Sequence, residues 1–156
     1  MDLGRKYKQN QRQHAVTDWD RVLGNAKFAS KDGRLRALVD EALSQFPAAE
    51  RPLTSVSEIQ LRKRSGTEGI VGLTTYSDSW QSRGRQRITF YSELLDELSD
   101  AAAIGVVGHE LAHAWLNEHV RPEASKSREK EADELARRWG YGRYLDALDA
   151  EADTVD

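Results

Sequence analysis

The most regular hydrophobic pattern of the chain lies between residues 99 and 118. Ile104, Val107, Leu111 and Trp115 follow one another at steps of three and four residues. This spacing places side chains on one side of an α-helix. The pattern therefore predicts an amphipathic helix whose apolar stripe packs on the core, while its opposite side faces a cleft.

Two glycines interrupt the helix-forming residues of this stretch. Gly105 and Gly108 both lower the helix propensity, because glycine loses more backbone freedom on folding than other residues do. We interpret them as positions where another group packs or binds close to the backbone. Ser99 or Asp100 is the predicted N-cap.

A second helical pattern begins near Ser125 and stops at Gly140, a residue type that commonly ends helices. Leu135 and Trp139 form its apolar stripe. Two alanines on the same side have small side chains, so we expect this helix to approach its neighbour closely.

The amino-terminal part of the chain predicts helices followed by strands. Two helical patterns begin at Thr17 and after Gly33, and the second ends before Pro47. Residues 53–91 then contain alternating and β-branched stretches, which are typical of strands. Turn-forming residues divide this region into two successive hairpins, which predict a three-stranded antiparallel meander.

Together these patterns predict an α+β fold with a small antiparallel three-stranded sheet, N-terminal helices and two further helices after the sheet. A chain of 156 residues is long enough for one domain with a proper core, and we assign that domain to residues 17–145. Residues 1–16 are polar and basic and are predicted to form a flexible arm. Residues 146–156 are predicted to form an acidic C-terminal tail.

The composition limits the classes of function. The formal net charge is −3 and the sequence contains no cysteine. Bulk charge therefore does not indicate nucleic-acid binding, and disulfides and thiolate chemistry are excluded. We find neither an apolar run of membrane-spanning length nor the apolar segment of a secretory signal. We expect a cytoplasmic protein that does not enter a membrane.

The candidate chemistry lies on the polar side of the helix around residue 110, which carries His109, Glu110 and His113. Residues four apart lie one turn apart, so both imidazoles can point at one metal ion. Glu110 lies about 100° further round the helix. From there it can reach a water on the metal but is badly placed to be a ligand. A metal-bound water beside a carboxylate is the arrangement that metal-assisted hydrolysis requires.

A third metal ligand is expected on the following helix. Helical phase places Glu129 and Asp133 on the side of the apolar stripe, whereas Glu131 lies on the far side and is most simply a solvated charge. Glu129 is therefore the predicted ligand. Asp133, one turn further on, is predicted to hold a ligand histidine in place.

These two groups of residues form a recognisable pair of motifs. Residues 109–113 read His-Glu-Leu-Ala-His, and residues 129–133 read Glu-Lys-Glu-Ala-Asp. The pair resembles the gluzincin zinc metallopeptidases, in which His-Glu-x-x-His is followed on a later helix by Glu-x-x-Ala-Asp. By pattern the chain is similar to the minimal soluble gluzincins (minigluzincins) and the HtpX/Ste24-type peptidases, and also to the ImmA/IrrE group. The resemblance covers roughly residues 69–140.

The resemblance implies a zincin-like fold and a zinc metalloendopeptidase that acts on a protein or peptide substrate. It implies a single Zn²⁺ per chain, with His109, His113 and Glu129 as ligands, Glu110 as the general base and Asp133 as a supporting residue. It leaves the oligomeric state open.

A gluzincin also needs a hydrogen-bond donor for the oxyanion of the tetrahedral intermediate. His119, Tyr141, Tyr144 and Tyr76 have suitable chemistry, and nothing in the sequence chooses among them. The resemblance further implies an edge strand before the zinc helix that pairs with the substrate backbone. Residues 70–76 are the candidate strand.

A second class of function stays open. A catalytically silent, zinc-containing interaction or regulatory module would bind a protein or nucleic-acid partner through the basic arm and through Arg83, Arg85 and Arg87. An extended chain places these three arginines on one side. The presence of Glu110 argues against this alternative, because a structural zinc site needs no base. Structural sites also usually have four protein ligands.

Overall fold

The computed structural model describes residues 17–63, 72–76, 85–123 and 125–155, so the predicted basic arm lies outside the described residues. In chain order the elements are α1 (Asp18–Leu23), β1 (Lys27–Ala29), α2 (Gly33–Gln45), β2 (Val56–Arg62), β3 (Gly72–Tyr76), β4 (Gln86–Tyr91), α3 (Ser92–Leu95), α4 (Asp100–His119), α5 (Lys126–Ala136), a π-helical turn (Arg137–Tyr141) and α6 (Gly142–Val155). The predicted α+β class is confirmed. Within the part of the chain that is described, no helix combines the length and the apolar character that crossing a membrane requires.

The sheet has four strands in the order β1–β2–β4–β3. β1 pairs with β2 and β2 pairs with β4, both in parallel, whereas β3 pairs with β4 in the antiparallel direction. The predicted three-stranded antiparallel meander is therefore wrong, because β4 lies between β2 and β3. The strand β1 was not predicted. The candidate strand at residues 70–76 corresponds to β3, which lies at one edge of the sheet.

The apolar side chains of β2 and β4 explain this strand order. The parallel register sets Ile59 opposite Ile88 and Leu61 opposite Phe90. Ile88, Thr89 and Phe90 are buried in succession, which is typical of a central strand. β4 therefore occupies the middle of the sheet, where its apolar residues are covered by neighbours. The turn signals between β2 and β3 describe only the path of the chain and do not specify which strands pair.

Helix α4 lies at the centre of the molecule and packs against α2, α5, α6 and β3. Its N-cap is Ser99, whose side chain accepts a hydrogen bond from the N–H of Ala102 at 3.1 Å. Three of its four stripe residues, Ile104, Val107 and Leu111, are buried. The predicted packing of this stripe on the core is found. The predicted amphipathic character is wrong, because Val106, Ala112 and Leu116, which lie off the stripe, are buried as well.

The two glycines of α4 allow α6 and the preceding turn to approach closely. A Cβ atom at Gly105 would lie 2.6 Å from the carbonyl oxygen of Tyr144, and a Cβ atom at Gly108 would lie 2.7 Å from the ring of Tyr141. The prediction that another group packs near the backbone at these positions is confirmed.

The carboxyl-terminal part of the chain is more ordered than the sequence patterns indicate. Gly140 adopts a φ of 105°, a left-handed conformation that suits glycine, and the chain changes direction there. Residues 142–155 then form α6, so the structure places the predicted acidic tail, apart from its last residue, within a helix. Tyr144 and Leu145 on this helix are buried, which anchors it to the core.

Candidate metal centre

Three side chains from two helices meet at one point. The two carboxylate oxygens of Glu129, near the start of α5, lie 2.9 Å from Nε2 of His109 and 2.9 Å from Nε2 of His113. The two Nε2 atoms are 3.1 Å apart. The structure thus brings together the three residues that helical spacing selected.

The donor set fits zinc. Two imidazole nitrogens and a carboxylate oxygen, all within 4.8 Å of one another, are the ligand types of catalytic zinc sites with an open fourth position. Ligand atoms around a tetrahedral zinc ion are about 3.3 Å apart, given bond lengths of about 2.0 to 2.2 Å. The observed separations of 2.9 and 3.1 Å are close to this value, so a zinc ion fits between these side chains with small adjustments.

The charges of the three residues act on one another. Hydrogen bonds with His109 and then His113 hold the pKa of Glu129 well below its usual range. Burial lowers the pKa of His109, but the hydrogen bond to Glu129 and the charges of Glu110, Glu129 and Asp133 outweigh this effect and raise the pKa. The site therefore favours positive charge between the carboxylates, and a metal ion would supply it.

Glu110 lies beside the triad but inside the protein. Only 6% of its surface is exposed, and its Oε1 accepts a hydrogen bond of 2.7 Å from the hydroxyl of Thr74 on β3. Sequence reasoning missed Thr74. The feature of the sequence that could have indicated Thr74 is the two-residue period of a strand, which puts Gly72 and Thr74 on the same side of β3.

Asp133 has a different partner from the predicted one. Its Oδ2 accepts a hydrogen bond of 2.9 Å from Nε of Arg137, and among the described contacts it has no hydrogen bond to either histidine. Arg137 also donates to Asp146 at 2.7 Å and to Asp149 at 3.2 Å. Asp133 therefore acts on His109 through its charge, while Arg137 connects it to α6.

Glu131 lies where helical phase predicts. Its side chain is 47% exposed and its nearest basic partner is Nε of Arg128 at 4.0 Å. It belongs to the same helix as Glu129, yet it is not part of the cluster that could hold a metal ion. The prediction that it is a solvated charge is confirmed.

Two of the three tyrosines named as oxyanion donors have described hydroxyl contacts, and neither contact involves the triad. Tyr141 is fully buried, and its hydroxyl donates to the carbonyl oxygen of Ala42; burial raises its pKa. The hydroxyl of Tyr144 accepts a hydrogen bond from the guanidinium of Arg143 at 2.5 Å. The hydroxyl proton of Tyr141 is thus used within the core. The bond from Arg143 does not use the hydroxyl proton of Tyr144, and the side chain of Tyr76 lies outside the described part.

His119 is the last residue of α4. Its Nε2 lies 2.9 Å from the carbonyl oxygen of Pro52 and 3.1 Å from the carboxylate of Glu118. These contacts hold the end of the helix against the chain before β2. They give His119 a structural role.

Glu118 also holds the same end of α4 in place. Its two carboxylate oxygens accept hydrogen bonds from the backbone N–H of Ser55 at 2.6 Å and of Thr54 at 3.2 Å. Burial raises the pKa of Glu118, but the hydrogen bonds from Ser55 and Thr54 outweigh burial and lower it. The helix that carries the two histidines is therefore held in a fixed position against the sheet.

The arginines of the alternative interpretation do not form a free basic stripe in the described residues. Arg87 forms an ion pair with Glu58 on the neighbouring strand, and Arg83 lies outside the described part. Arg85 lines a cavity of about 370 Å³ together with Leu23, Thr54 and other residues. This cavity contains no residue of the triad, so we do not associate it with the candidate metal centre.

A comparison with protein families agrees with this geometry. Residues 79–126 match the family model of peptidase family M48. The chain is similar to a zinc metallopeptidase family. The matched segment includes His109, Glu110 and His113 but ends before Glu129, so Glu129 is a candidate third ligand on the distances given above alone. The match does not distinguish among the gluzincin branches that the motifs resemble. No curated protein and no solved structure shows a match to the chain.

Proposed function

We propose that the protein is a zinc-dependent endopeptidase that hydrolyses peptide bonds with Glu110 as the general base. The observation that carries this proposal is the convergence of His109, His113 and Glu129 beside a buried glutamate. The match of residues 79–126 to peptidase family M48 supports the same class of activity.

His109 and His113 would hold the zinc ion through their imidazole nitrogens, and Glu129 would hold it through its carboxylate. When bound, zinc supplies a Lewis acid that polarises a carbonyl group and lowers the pKa of a water molecule towards about 7. The protein supplies the base and the orientation of the substrate.

Glu110 follows His109 directly in the sequence and lies close enough for its charge to help raise the pKa of His109. Its carboxylate would take a proton from the attacking water and later deliver it to the leaving amine. Because Glu110 is buried, bulk water is kept from competing for its proton. The hydrogen bond from Thr74 gives this buried carboxylate the partner that it needs.

The edge strand β3 would bind the substrate. β3 pairs with β4 on one side and is the last strand of the sheet in the described part. An extended peptide can pair with an open strand edge through main-chain hydrogen bonds. Such an edge accepts the middle of a chain as readily as its end, so we propose an endopeptidase. A peptide bound there would lie near Glu110, which contacts β3 through Thr74.

The proposal is tested with purified protein loaded with zinc and incubated with an unfolded protein such as casein. We expect the wild type to cleave the substrate and Glu110→Gln to retain zinc while the rate falls by about 100-fold or more, the usual contribution of a general base. A Glu110→Gln variant that cleaves at the wild-type rate would overturn the assignment. A wild type that binds zinc but cleaves nothing would favour the interaction-module alternative.

A further inference from the structure

We propose that Thr74 is a positioning residue that holds the carboxylate of Glu110 ready for proton transfer. The strand that binds the substrate would then also orient the general base. This inference rests on the proposed peptidase function and adds a residue and a strand to it.

The contact between the two residues is short and directional. The hydroxyl oxygen of Thr74 lies 2.7 Å from Oε1 of Glu110 and 3.3 Å from its backbone carbonyl oxygen. A threonine hydroxyl has only one proton to donate. The shorter contact identifies the carboxylate as the acceptor, and hydrogen bonds to ionised groups are the stronger ones.

Gly72 allows the strand to come close enough for this contact. A Cβ atom at this position would lie 3.1 Å from Cγ of Glu110, 3.1 Å from a methyl group of Val106 and 3.2 Å from the ring of Phe90. A larger residue would crowd all three neighbours. Gly72 therefore leaves space for the stem of Glu110, and Thr74, two residues on, reaches its oxygen.

The hydrogen bond decides the orientation of a group that is otherwise free to rotate. The terminal torsion of a glutamate has a broad energy profile, and among the described residues Thr74 is the one that donates to this carboxylate. A bond to Oε1 fixes the plane of the carboxylate and leaves Oε2 to exchange the proton. Without that bond, Glu110 would spend less time in the productive orientation.

The position of Thr74 in the sheet connects the base to substrate binding. Thr74 is paired with Ile88 of the buried central strand β4, so its backbone is held on one side. A peptide paired with the other side of β3 would hold the strand from both directions. Binding of the substrate would thereby restrict Thr74 and, through it, Glu110.

The kinetic test compares Thr74→Val, Thr74→Ser and Thr89→Val in zinc-loaded protein. We expect Thr74→Val to lower kcat by about 10-fold or more, as for a lost hydrogen bond to a charged group, with little change in KM or zinc content. Thr74→Ser restores the hydroxyl and should recover most of kcat. Thr89→Val is the matched control, because Thr89 accepts a hydrogen bond from Gln60 on the neighbouring strand at 2.8 Å. A Thr74→Ser variant as impaired as Thr74→Val would overturn the proposal.

A second measurement does not depend on turnover. Midpoints of urea unfolding are compared for the wild type, Thr74→Val, Glu110→Ala and the double variant, all loaded with zinc. Residues in direct contact give non-additive changes in the free energy of unfolding. We therefore expect the double variant to lose less stability to urea than the sum of the losses in the two single variants. Additive losses would refute the contact itself. A wild type without peptidase activity would instead refute the proposed function and the catalytic part of this inference.

Discussion

The carboxylate of Glu129 lies 2.9 Å from Nε2 of His113, although the two residues belong to different helices. The close approach of α4 and α5 has a simple cause. Ala132 and Ala136 on α5 are completely buried, and their small side chains let the two helix axes come near each other. The buried face of α5 thereby sets the position of Glu129, whose own side chain is 64% exposed.

Replacement of Glu129 by alanine should remove zinc from the protein. The side chain supplies the only carboxylate of the metal cluster found among the described residues, and we expect the zinc affinity to fall by at least about 100-fold, more than the loss of a supporting residue costs. Elemental analysis after dialysis measures this directly. Glu131→Ala is the matched control on the same helix and should keep the wild-type zinc content. Loss of zinc in the control alone would mean that Glu131, and not Glu129, faces the two histidines.

Replacement of Gly105 by alanine should destabilise the protein. The new methyl group would lie 2.6 Å from the backbone carbonyl oxygen of Tyr144, so α4 and α6 would have to move apart. Overpacking of this kind costs about 1 to 3 kcal/mol in the free energy of unfolding, which urea denaturation measures.

Gly142→Ala provides the comparison for this substitution. Gly142 has helical backbone angles, with φ −53° and ψ −47°, and no atom lies within 4 Å of a Cβ placed there. Alanine at this position should leave the stability unchanged or raise it by up to about 1 kcal/mol. Equal effects of the two substitutions would contradict a steric role for Gly105.

Glu118 should make the stability depend on pH. Its pKa is lowered in the folded protein, so its contribution is fully present above the ordinary pKa of a glutamate, about 4.3. The contribution is lost as the pH falls through the lowered folded-state value. We expect Glu118→Gln to reduce the free energy of unfolding by about 1 to 2 kcal/mol at pH 7, and by progressively less as the pH falls below about 4.

Urea denaturation at pH 7 and at a pH below about 4, with Glu41→Gln as the control, tests this expectation. Glu41 is exposed on α2, so its replacement should change the stability little at either pH. A Glu118→Gln variant with the same deficit at low and neutral pH would show that the ionised carboxylate is not what holds Ser55 and Thr54.

Some features of the fold follow from patterns that are local in the sequence. The helices around Leu111 and Leu135 were predicted because their apolar residues recur with the period of a helix. The second of them ends at Ala136, and the chain changes direction shortly afterwards at Gly140, whose φ is 105°. The strand order could not be predicted, because the turns between β2, β3 and β4 are compatible with more than one pairing. Burial of the apolar side chains of β4 decides which pairing forms.

The local sequence is sufficient to show which side chains could act together at the candidate metal centre. His109 and His113 are one turn apart, and Glu129 rather than Glu131 faces them, because the helical period depends only on the backbone. The surroundings of these side chains depend on how distant parts of the chain pack together. Thr74 reaches Glu110 across 36 residues of sequence, and no local period specifies such a contact. It depends on the packing of β3 against α4, to which the whole hydrophobic core contributes.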